Sequence, residues 1–240
     1  MQGQNVKMKK LQKEFLKVFA KAADNFALTG GTALEIYYLH HRFSVDLDFF
    51  SPKYDVKEAS RIIAAFKKIG KCKIKLENEF VLASHAKVRF YHVENKELGR
   101  PLKIDFVEDV IFDQPRIERF EGVPVYSVKN IYIQKISTIT GTREKIDDAG
   151  RQFMQGRREA RDAFDIYMLS KKIKPLHIFL KSLSSPMQRG MAHWYQTFSR
   201  QDLKMGLLDL DIYDKKFDSR GMIVYLENEM KKFTKEVLSE

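Results

Sequence analysis

The sequence predicts an α/β (α+β) protein with a mixed sheet in its N-terminal part and a mainly helical C-terminal part. Helix-like and strand-like patterns alternate up to residue 126, and helical patterns dominate from residue 127 onward. The 240 residues have the 44% hydrophobic and 31% charged content of an ordinary globular protein. We therefore expect a catalytic core over residues 1–126 and a helical domain over residues 127–240.

The N-terminal part begins with an amphipathic helix over Leu11–Ala23, where apolar residues recur at the helical period. A second helix is expected over Thr32–His41, and a strand over Val45–Phe50. The helical stripe returns over Lys57–Ile69 and is followed by Gly70, a residue type that commonly ends helices.

The remaining elements follow from the same two periods. Strands are expected over Cys72–Leu76, Glu79–Ala83, Lys87–Val93 and Leu102–Val107. The pattern changes at the short link Glu121–Tyr126. Beyond it, helices are expected over Val128–Thr140, Glu159–Leu169, Leu176–Leu183 and Ile223–Val237.

Gly30, Gly31 and Thr32 stand at the start of the expected second helix. Glycines lack a Cβ atom, so the backbone here could approach a bound group closely. The N-terminal amides and the dipole of a helix favour an anion. The pattern indicates a phosphate site, although a glycine pair before a helix often forms only a turn.

Asp46 and Asp48 are separated by one residue in an expected strand. Alternate side chains of a strand share a face, so both carboxylates should project together while Leu47, Phe49 and Phe50 supply apolar packing. Oxygen ligands at this spacing suit Mg²⁺, which also binds the phosphates of a substrate. With the glycine pair, they indicate a metal-dependent nucleotide site; a solvated strand end is the alternative.

This joint motif resembles that of a known family. Residues 28–34 (Leu-Thr-Gly-Gly-Thr-Ala-Leu) and 41–50 (His-Arg-Phe-Ser-Val-Asp-Leu-Asp-Phe-Phe) are similar to the "GGTAL" and "R-x-S-x-D-[IL]-D-F" signature of AbiEii/AbiGii-type nucleotidyltransferases. These are the toxins of AbiE-like and MenT-like toxin–antitoxin systems in the DNA polymerase-β-like superfamily. The resemblance implies a nucleotidyltransferase fold, an NTP substrate, and Mg²⁺ as cofactor with Mn²⁺ as an alternative.

The resemblance also implies a third metal-binding carboxylate beside Asp46 and Asp48. Asp105 falls at the matching place, within the strand-like run Leu102–Val107. A carboxylate is costly to bury without a partner, so a charge here needs one. Glu108 and Asp109 remain alternatives for the third acid, and Asp105 facing water at a strand edge is the structural alternative.

The motif residues Gly30, Gly31, Thr32, Arg42 and Ser44 would bind the nucleotide by the same resemblance. The glycines and the following helix would hold the β- and γ-phosphates. Arg42 and Ser44 could touch phosphate or could cap the loop before the strand.

The helical domain would contribute Lys135, Asp162 and Asp165 to the cleft. Lys135 is a charge within an apolar helical run, and the two aspartates lie about one turn apart. They match the family's downstream pattern, in which the lysine contacts the triphosphate and an aspartate holds that lysine or a basic neighbour. A purely structural bridge between two helices is the alternative.

The formal net charge of +11 favours a polyanionic partner. With the resemblance, it predicts transfer of NMP from an NTP to RNA, with the 3′ end of tRNA as the favoured acceptor, and a cognate antitoxin as a further partner. A protein-directed transferase acting on a hydroxyl side chain, with its basic face on an acidic antitoxin, stays open. So does a non-catalytic nucleotide-binding module, and the charge could serve solubility alone.

Other features narrow the setting. The single cysteine, Cys72, excludes an intramolecular disulfide, and the six histidines lack the spacing of a transition-metal site. No apolar run is long enough to cross a bilayer, and the N-terminus lacks the apolar core of a signal peptide. We expect a cytoplasmic protein without a membrane partner.

Overall fold

The structure is a computed structural model that describes residues 2–69, 72–80, 86–95, 98–141, 144–146, 152–154 and 156–238. The chain forms two compact units: Met1–Tyr38 with Phe43–Ile131, and Leu39–Arg42 with Tyr132–Glu240. The predicted division at residues 126 and 127 stays a prediction about domains.

The first unit contains a mixed seven-stranded sheet and the helices around it. Its elements are α1 (Gln2–Ala22), β1 (Ala27–Thr29), α2 (Gly30–Ala33), β2 (Leu47–Ser51), α3 (Val56–Ile69), β3 (Lys73–Phe80), β4 (Val88–Glu94), β5 (Leu102–Glu108), β6 (Ile117–Phe120) and β7 (Val123–Tyr126). The strands are ordered β3-β4-β5-β2-β1-β7-β6. Only the pairs β2·β5 and β1·β7 are parallel, so the predicted mixed sheet is confirmed.

The core of this unit lies between α1, α3 and one face of the sheet. Phe15 and Phe19 of α1 pack on Phe49 of β2, with ring centroids 5.6 and 4.1 Å away, and all three side chains are fully buried. Phe49 also stacks on Phe106 of β5 at 5.4 Å. Because side chains alternate along a strand, Leu47 and Phe49 are buried while Asp48 lies on the opposite face. Phe50, expected to pack with them, shares the side of Asp48 and is half-buried.

The second unit is mainly helical, as predicted. Its elements are most of α4 (Val128–Thr140), then β8 (Glu144–Ile146), β9 (Gln152–Met154), α5 (Ala160–Lys172), α6 (Leu176–Lys181), α7 (Ser185–Thr197), α8 (Arg200–Leu208) and α9 (Ser219–Leu238). Tyr132 of α4 stacks on Phe179 of α6 at 4.0 Å, and Phe164 of α5 packs edge-on against Phe217 at 5.0 Å. Aromatic rings from several of its elements thus contribute to its core.

Three local predictions need correction. The helix expected over Thr32–His41 begins at Gly30 and widens into a π-helical segment, Leu34–Leu39, which ends before a positive φ of 47° at His40. The strands expected over Cys72–Leu76 and Glu79–Ala83 are one strand, β3, because a bulge between Leu76 and Asn78 lets pairing with β4 continue. Gly70 and residues 81–83, which belonged to those predictions, lie outside the described residues.

The described residues contain no helix suited to span a membrane. None of their helices combines the length and the apolar character that crossing a bilayer requires.

Candidate active site

Gly30 lies where the chain turns from β1 into α2, directly beside Asp48. Its φ is +70°, a conformation that a residue with a Cβ adopts only under strain. Thr29 and Asp48 are opposite each other in the antiparallel register of β1 and β2, and a Cβ built on Gly30 would collide with the Asp48 carboxylate. Glycine at this position therefore leaves room for a carboxylate of the same unit.

Asp48 also lies opposite Asp105, its partner in the parallel register of β2 and β5. Asp46 comes two residues before Asp48, immediately ahead of the strand. Burial is the main cause that raises the pKa of Asp105 to about 8; the charges of Asp48 and Asp46 act in the same direction, while Lys103 opposes them. The three predicted carboxylates are thus close enough to influence one another electrostatically.

These carboxylates suit a divalent cation by their chemistry. They are oxygen donors of the kind that Mg²⁺ prefers, and a cation would relieve the repulsion that raises the pKa of Asp105. Across the described ranges, however, no three His, Cys, Asp or Glu side chains are already arranged to hold a metal. A metal held by all three would draw them closer together.

The two alternatives for the third acid have other contacts. Glu108 forms an ion pair with Lys87 at 2.9 Å at the end of β5. Asp109 is buried, accepts hydrogen bonds from the backbone N–H groups of Ile111 and Phe112, and accepts another from the Tyr126 hydroxyl at 2.7 Å. Both are held by local structure, and neither is the register partner of Asp48.

The segment Phe43–Asp46, which leads into β2, is held by side chains from two helical elements. The buried Gln12 of α1 donates to the carbonyl oxygens of Ser44 and Val45, at 2.9 and 2.8 Å. The buried Glu35, in the π-helical segment, accepts from the Ser44 backbone N–H at 2.7 Å. These contacts fix the backbone immediately before the two motif aspartates.

Two further contacts complete this arrangement. The Thr32 hydroxyl donates to the Asp46 carbonyl oxygen, and the Lys9 ammonium pairs with Glu35 at 3.0 Å. Of the predicted nucleotide-binding residues, Thr32 and Ser44 thus hold the backbone of the loop, Thr32 through its hydroxyl and Ser44 through its backbone groups. Gly31 is buried within α2.

In the second unit, Asp165 is the centre of a buried ionic cluster. The Arg42 guanidinium donates two hydrogen bonds to it, Nε to Oδ1 at 2.7 Å and Nη2 to Oδ2 at 2.8 Å. His41 Nε2 lies 2.7 Å from Oδ1, and the Lys135 ammonium lies 2.8 Å from Oδ2. Burial alone would raise the pKa of Asp165, yet Arg42, Lys135 and His41 together hold it well below its usual range.

Asp162 extends the cluster. It accepts from Lys135 at 2.8 Å and from Arg157 Nη2 at 2.8 Å. Burial lowers the pKa of Lys135, but the charges of Asp165 and Asp162 outweigh it, so the net shift is upward. The ammonium of Lys135 is therefore charged and held by both of the predicted aspartates.

Sequence reasoning missed several residues of these clusters, including Gln12, Glu35 and His41. Gln12 and Glu35 each carry a weak signal. Gln12 is a polar residue on the apolar face of an amphipathic helix, and Glu35 is a charge within the apolar run Leu34–Leu39. Polar groups at such positions need hydrogen-bond partners when the helix is buried.

The fold is similar to that of two solved structures from one organism. It is similar to the crystal structure of JHP933 from Helicobacter pylori, with a TM-score of 0.55 and 20% identity over 98% of this chain and 96% of that one. It is also similar to a candidate nucleotidyltransferase from H. pylori, with a TM-score of 0.57 and 19% identity over 97% of each chain. At this identity, the two structures establish the fold.

The family follows from the sequence match. Residues 14–232 match the family described as "Nucleotidyl transferase AbiEii toxin, Type IV TA system", and the chain belongs to this family. It is thus a nucleotidyltransferase of a toxin family of type IV toxin–antitoxin systems, for which a nucleotide is the substrate and an antitoxin the counterpart. The search of curated proteins gave no match.

Proposed function

We propose that this nucleotidyltransferase is Mg²⁺-dependent and transfers NMP from an NTP to RNA, with the 3′ end of tRNA as the favoured acceptor. One observation carries the metal dependence: Asp48 and Asp105 face each other across β2 and β5, and the pKa of Asp105 rises to about 8. Two carboxylates in this position need a proton or a cation between them.

Asp46, Asp48 and Asp105 would hold the metal, either Mg²⁺ or Mn²⁺. Gly30 supports the binding of the metal by leaving space for the Asp48 carboxylate. Gln12, Thr32 and Glu35 orient the backbone at Asp46. When bound, the metal would neutralise charge on the nucleotide phosphates and lower the barrier to in-line displacement.

The reaction then depends mainly on positioning and charge neutralisation. The oxygen of the acceptor hydroxyl forms a bond to the α-phosphorus while the bond from the α-phosphorus to its bridging oxygen breaks, and pyrophosphate leaves. The hydroxyl proton passes to a base. By family resemblance, Gly30, Gly31, Arg42 and Ser44 would bind the nucleotide, and Lys135 would contact its triphosphate.

The net charge of +11 supports an RNA acceptor, because Lys and Arg side chains bind phosphates without regard to sequence. Individual basic side chains differ in their availability for a phosphate. Lys75 is paired with Glu94 at 3.0 Å and Arg157 with Asp162, whereas Lys73 and Arg158 are exposed. Lys71 lies outside the described residues.

One assay tests metal, activity and acceptor together. The purified protein is incubated with each α-labelled NTP, total tRNA, and Mg²⁺ or EDTA, and the Asp48→Asn variant serves as the matched inactive control. We expect label in tRNA with Mg²⁺ in the parent, and none with EDTA or in the variant. Label found in protein would show that the acceptor is a protein and not RNA. Labelling that does not depend on Mg²⁺ would overturn the metal assignment.

A further inference from the structure

Helix α1 has two sharply different faces. Phe15, Leu16 and Phe19 are buried in the core of the first unit. At about 100° per residue, the lysines at positions 10, 13, 17 and 21 fall within an arc of about 80° on the opposite face. All four lysines of this α1 lysine face are exposed.

The α1 lysine face is not neutralised by neighbouring acids. None of its four lysines forms an ion pair with another residue in the part of the chain that the structure describes. By contrast, Lys9 on the flank of the same helix pairs with Glu35 at 3.0 Å. Within α1 itself, Glu14 is the one acidic residue. The face therefore keeps a net positive charge.

The shape of this charge fits a nucleic-acid backbone. With a rise of about 1.5 Å per residue, the four ammonium groups are distributed along about 17 Å of the helix. Phosphates also repeat along a line, and lysine binds them as a mobile point charge. An anionic membrane would fit less well, because interfacial helices also insert an apolar face, and that of α1 is already buried in the core.

We propose that the α1 lysine face is the surface on which this enzyme binds the phosphate backbone of its acceptor RNA. The proposal rests on the proposed RNA acceptor and names the surface that binds it. No aromatic side chain belongs to the face, so it binds backbone rather than stacking bases. Its contribution is affinity that does not depend on the RNA sequence.

The test is a charge-matched comparison of two quadruple variants. One carries Lys10→Gln, Lys13→Gln, Lys17→Gln and Lys21→Gln, in which glutamine keeps a similar helix propensity. The control carries Lys204→Gln, Lys215→Gln, Lys216→Gln and Arg220→Gln, four exposed cations without an ion pair among the residues described. Both variants lose the same charge. Any general effect of net charge therefore appears in both.

The readout is tRNA affinity measured by fluorescence anisotropy at several salt concentrations. Each lost phosphate contact reduces the slope of log affinity against log salt by about 0.7–0.9, so the α1 variant should lose about 3 units of slope. We expect its Kd for tRNA to rise at least about 10-fold at ~0.15 M salt, with the control near the parent. Melting temperature and binding of labelled NTP should stay parental in both variants.

The outcomes separate this inference from the proposed function. If the parent labels tRNA but both variants bind it equally well, the α1 lysine face is not the RNA surface and the proposed function stands. If the parent labels protein instead of tRNA, the proposed acceptor is wrong, whatever the salt dependence of tRNA binding. If the quadruple variant unfolds, two double variants replace it: Lys10→Gln with Lys17→Gln, and Lys13→Gln with Lys21→Gln. Each double variant should lose about half as much slope as expected for the quadruple variant. Parental slopes in both double variants would overturn the inference.

Discussion

Asp48 and Asp105 are register partners on the parallel strands β2 and β5, so two carboxylates are directed to the same side of the sheet. Asp105 cannot ionise without cost, because burial and the neighbouring charges of Asp48 and Asp46 raise its pKa to about 8. In the metal-free protein, a proton offsets this repulsion. A divalent cation would replace that proton.

The first prediction concerns pH. The folded protein retains a proton on Asp105 that the unfolded chain releases near the ordinary pKa of 3.8. Its stabilising contribution is therefore fully present below about pH 4 and is lost as the pH rises toward 8. With EDTA, the free energy of unfolding of the parent should fall between pH 5 and 9 more steeply than that of Asp105→Asn. Urea denaturation at three pH values measures both.

Added metal provides the control for this prediction. At pH 8, Mg²⁺ should raise the free energy of unfolding of the parent, because it binds the folded state, and should have much less effect on Asp105→Asn. The variant should also lose nucleotide transfer. Equal pH profiles for parent and variant would show that Asp105 does not hold the proton, and an equal response to Mg²⁺ would remove it from the metal site.

The second prediction concerns Gly30→Ala. The new Cβ meets the Asp48 carboxylate, and the φ of +70° costs an alanine about 1–2 kcal/mol. We expect a loss of stability of at least that size in urea denaturation, together with loss of most transfer activity because Asp48 is displaced. Gly3→Ala is the matched control, since a Cβ there meets nothing within 4 Å. Parental transfer by folded Gly30→Ala would show that the position of Asp48 is not critical.

The local part of this site could be predicted from sequence. A period of two residues places Leu47 and Phe49 on the buried face and Asp48 on the other, as observed. The pairing of Asp48 with Asp105 could only be inferred by resemblance. It depends on which strands become neighbours, and α3, β3 and β4 separate β2 from β5 along the chain.

Helices α7 and α8 show a different limit. Neither was predicted: α7 contains both Pro186 and Gly190, and α8 contains Gly206, residue types that weaken a helix pattern. In the folded protein, Pro186 occupies the first turn of α7, where its missing N–H costs nothing. A Cβ on Gly190 would crowd Thr140 of α4 at 2.7 Å. Residues that weaken a helix pattern locally are thus accommodated by tertiary packing.

The third prediction concerns the backbone before β2. Gln12→Leu removes both donors to the Ser44 and Val45 carbonyl oxygens without a large change in volume. We expect Mn²⁺ affinity, followed by electron paramagnetic resonance, to fall about 10-fold, the lower end of the usual effect of residues that orient metal ligands. Glu14→Gln, an exposed change on the same helix, is the control and should bind Mn²⁺ like the parent.

Glu35 allows a graded version of this experiment. Glu35→Ala removes the acceptor for the Ser44 N–H, whereas Glu35→Gln keeps an acceptor oxygen there and loses only the charge opposite Lys9. Metal affinity should therefore fall in the alanine variant and recover largely in the glutamine variant. Equal affinities in all these variants would mean that the segment before β2 keeps its geometry without them.

The last prediction separates two roles of Lys135. In Lys135→Met, Asp162 keeps Arg157 and Asp165 keeps Arg42 and His41, so no carboxylate is left without a partner. The loss of stability should stay below the ~3–5 kcal/mol that follows when a buried charge is left unpaired. Asp165→Asn should cost more, because it removes the charge of a buried carboxylate that pairs with Arg42, Lys135 and His41 at once.

If Lys135 contacts the triphosphate, the KM for NTP should rise strongly in Lys135→Met, the more stable variant, and much less in Asp165→Asn, while the Kd for tRNA changes in neither. If the cluster is purely structural, the KM for NTP should instead rise more in Asp165→Asn than in Lys135→Met, because the KM would then follow the loss of stability. Urea denaturation and steady-state kinetics on the same preparations therefore decide between the two roles. Parental NTP kinetics in folded Lys135→Met would assign Lys135 to the structure alone.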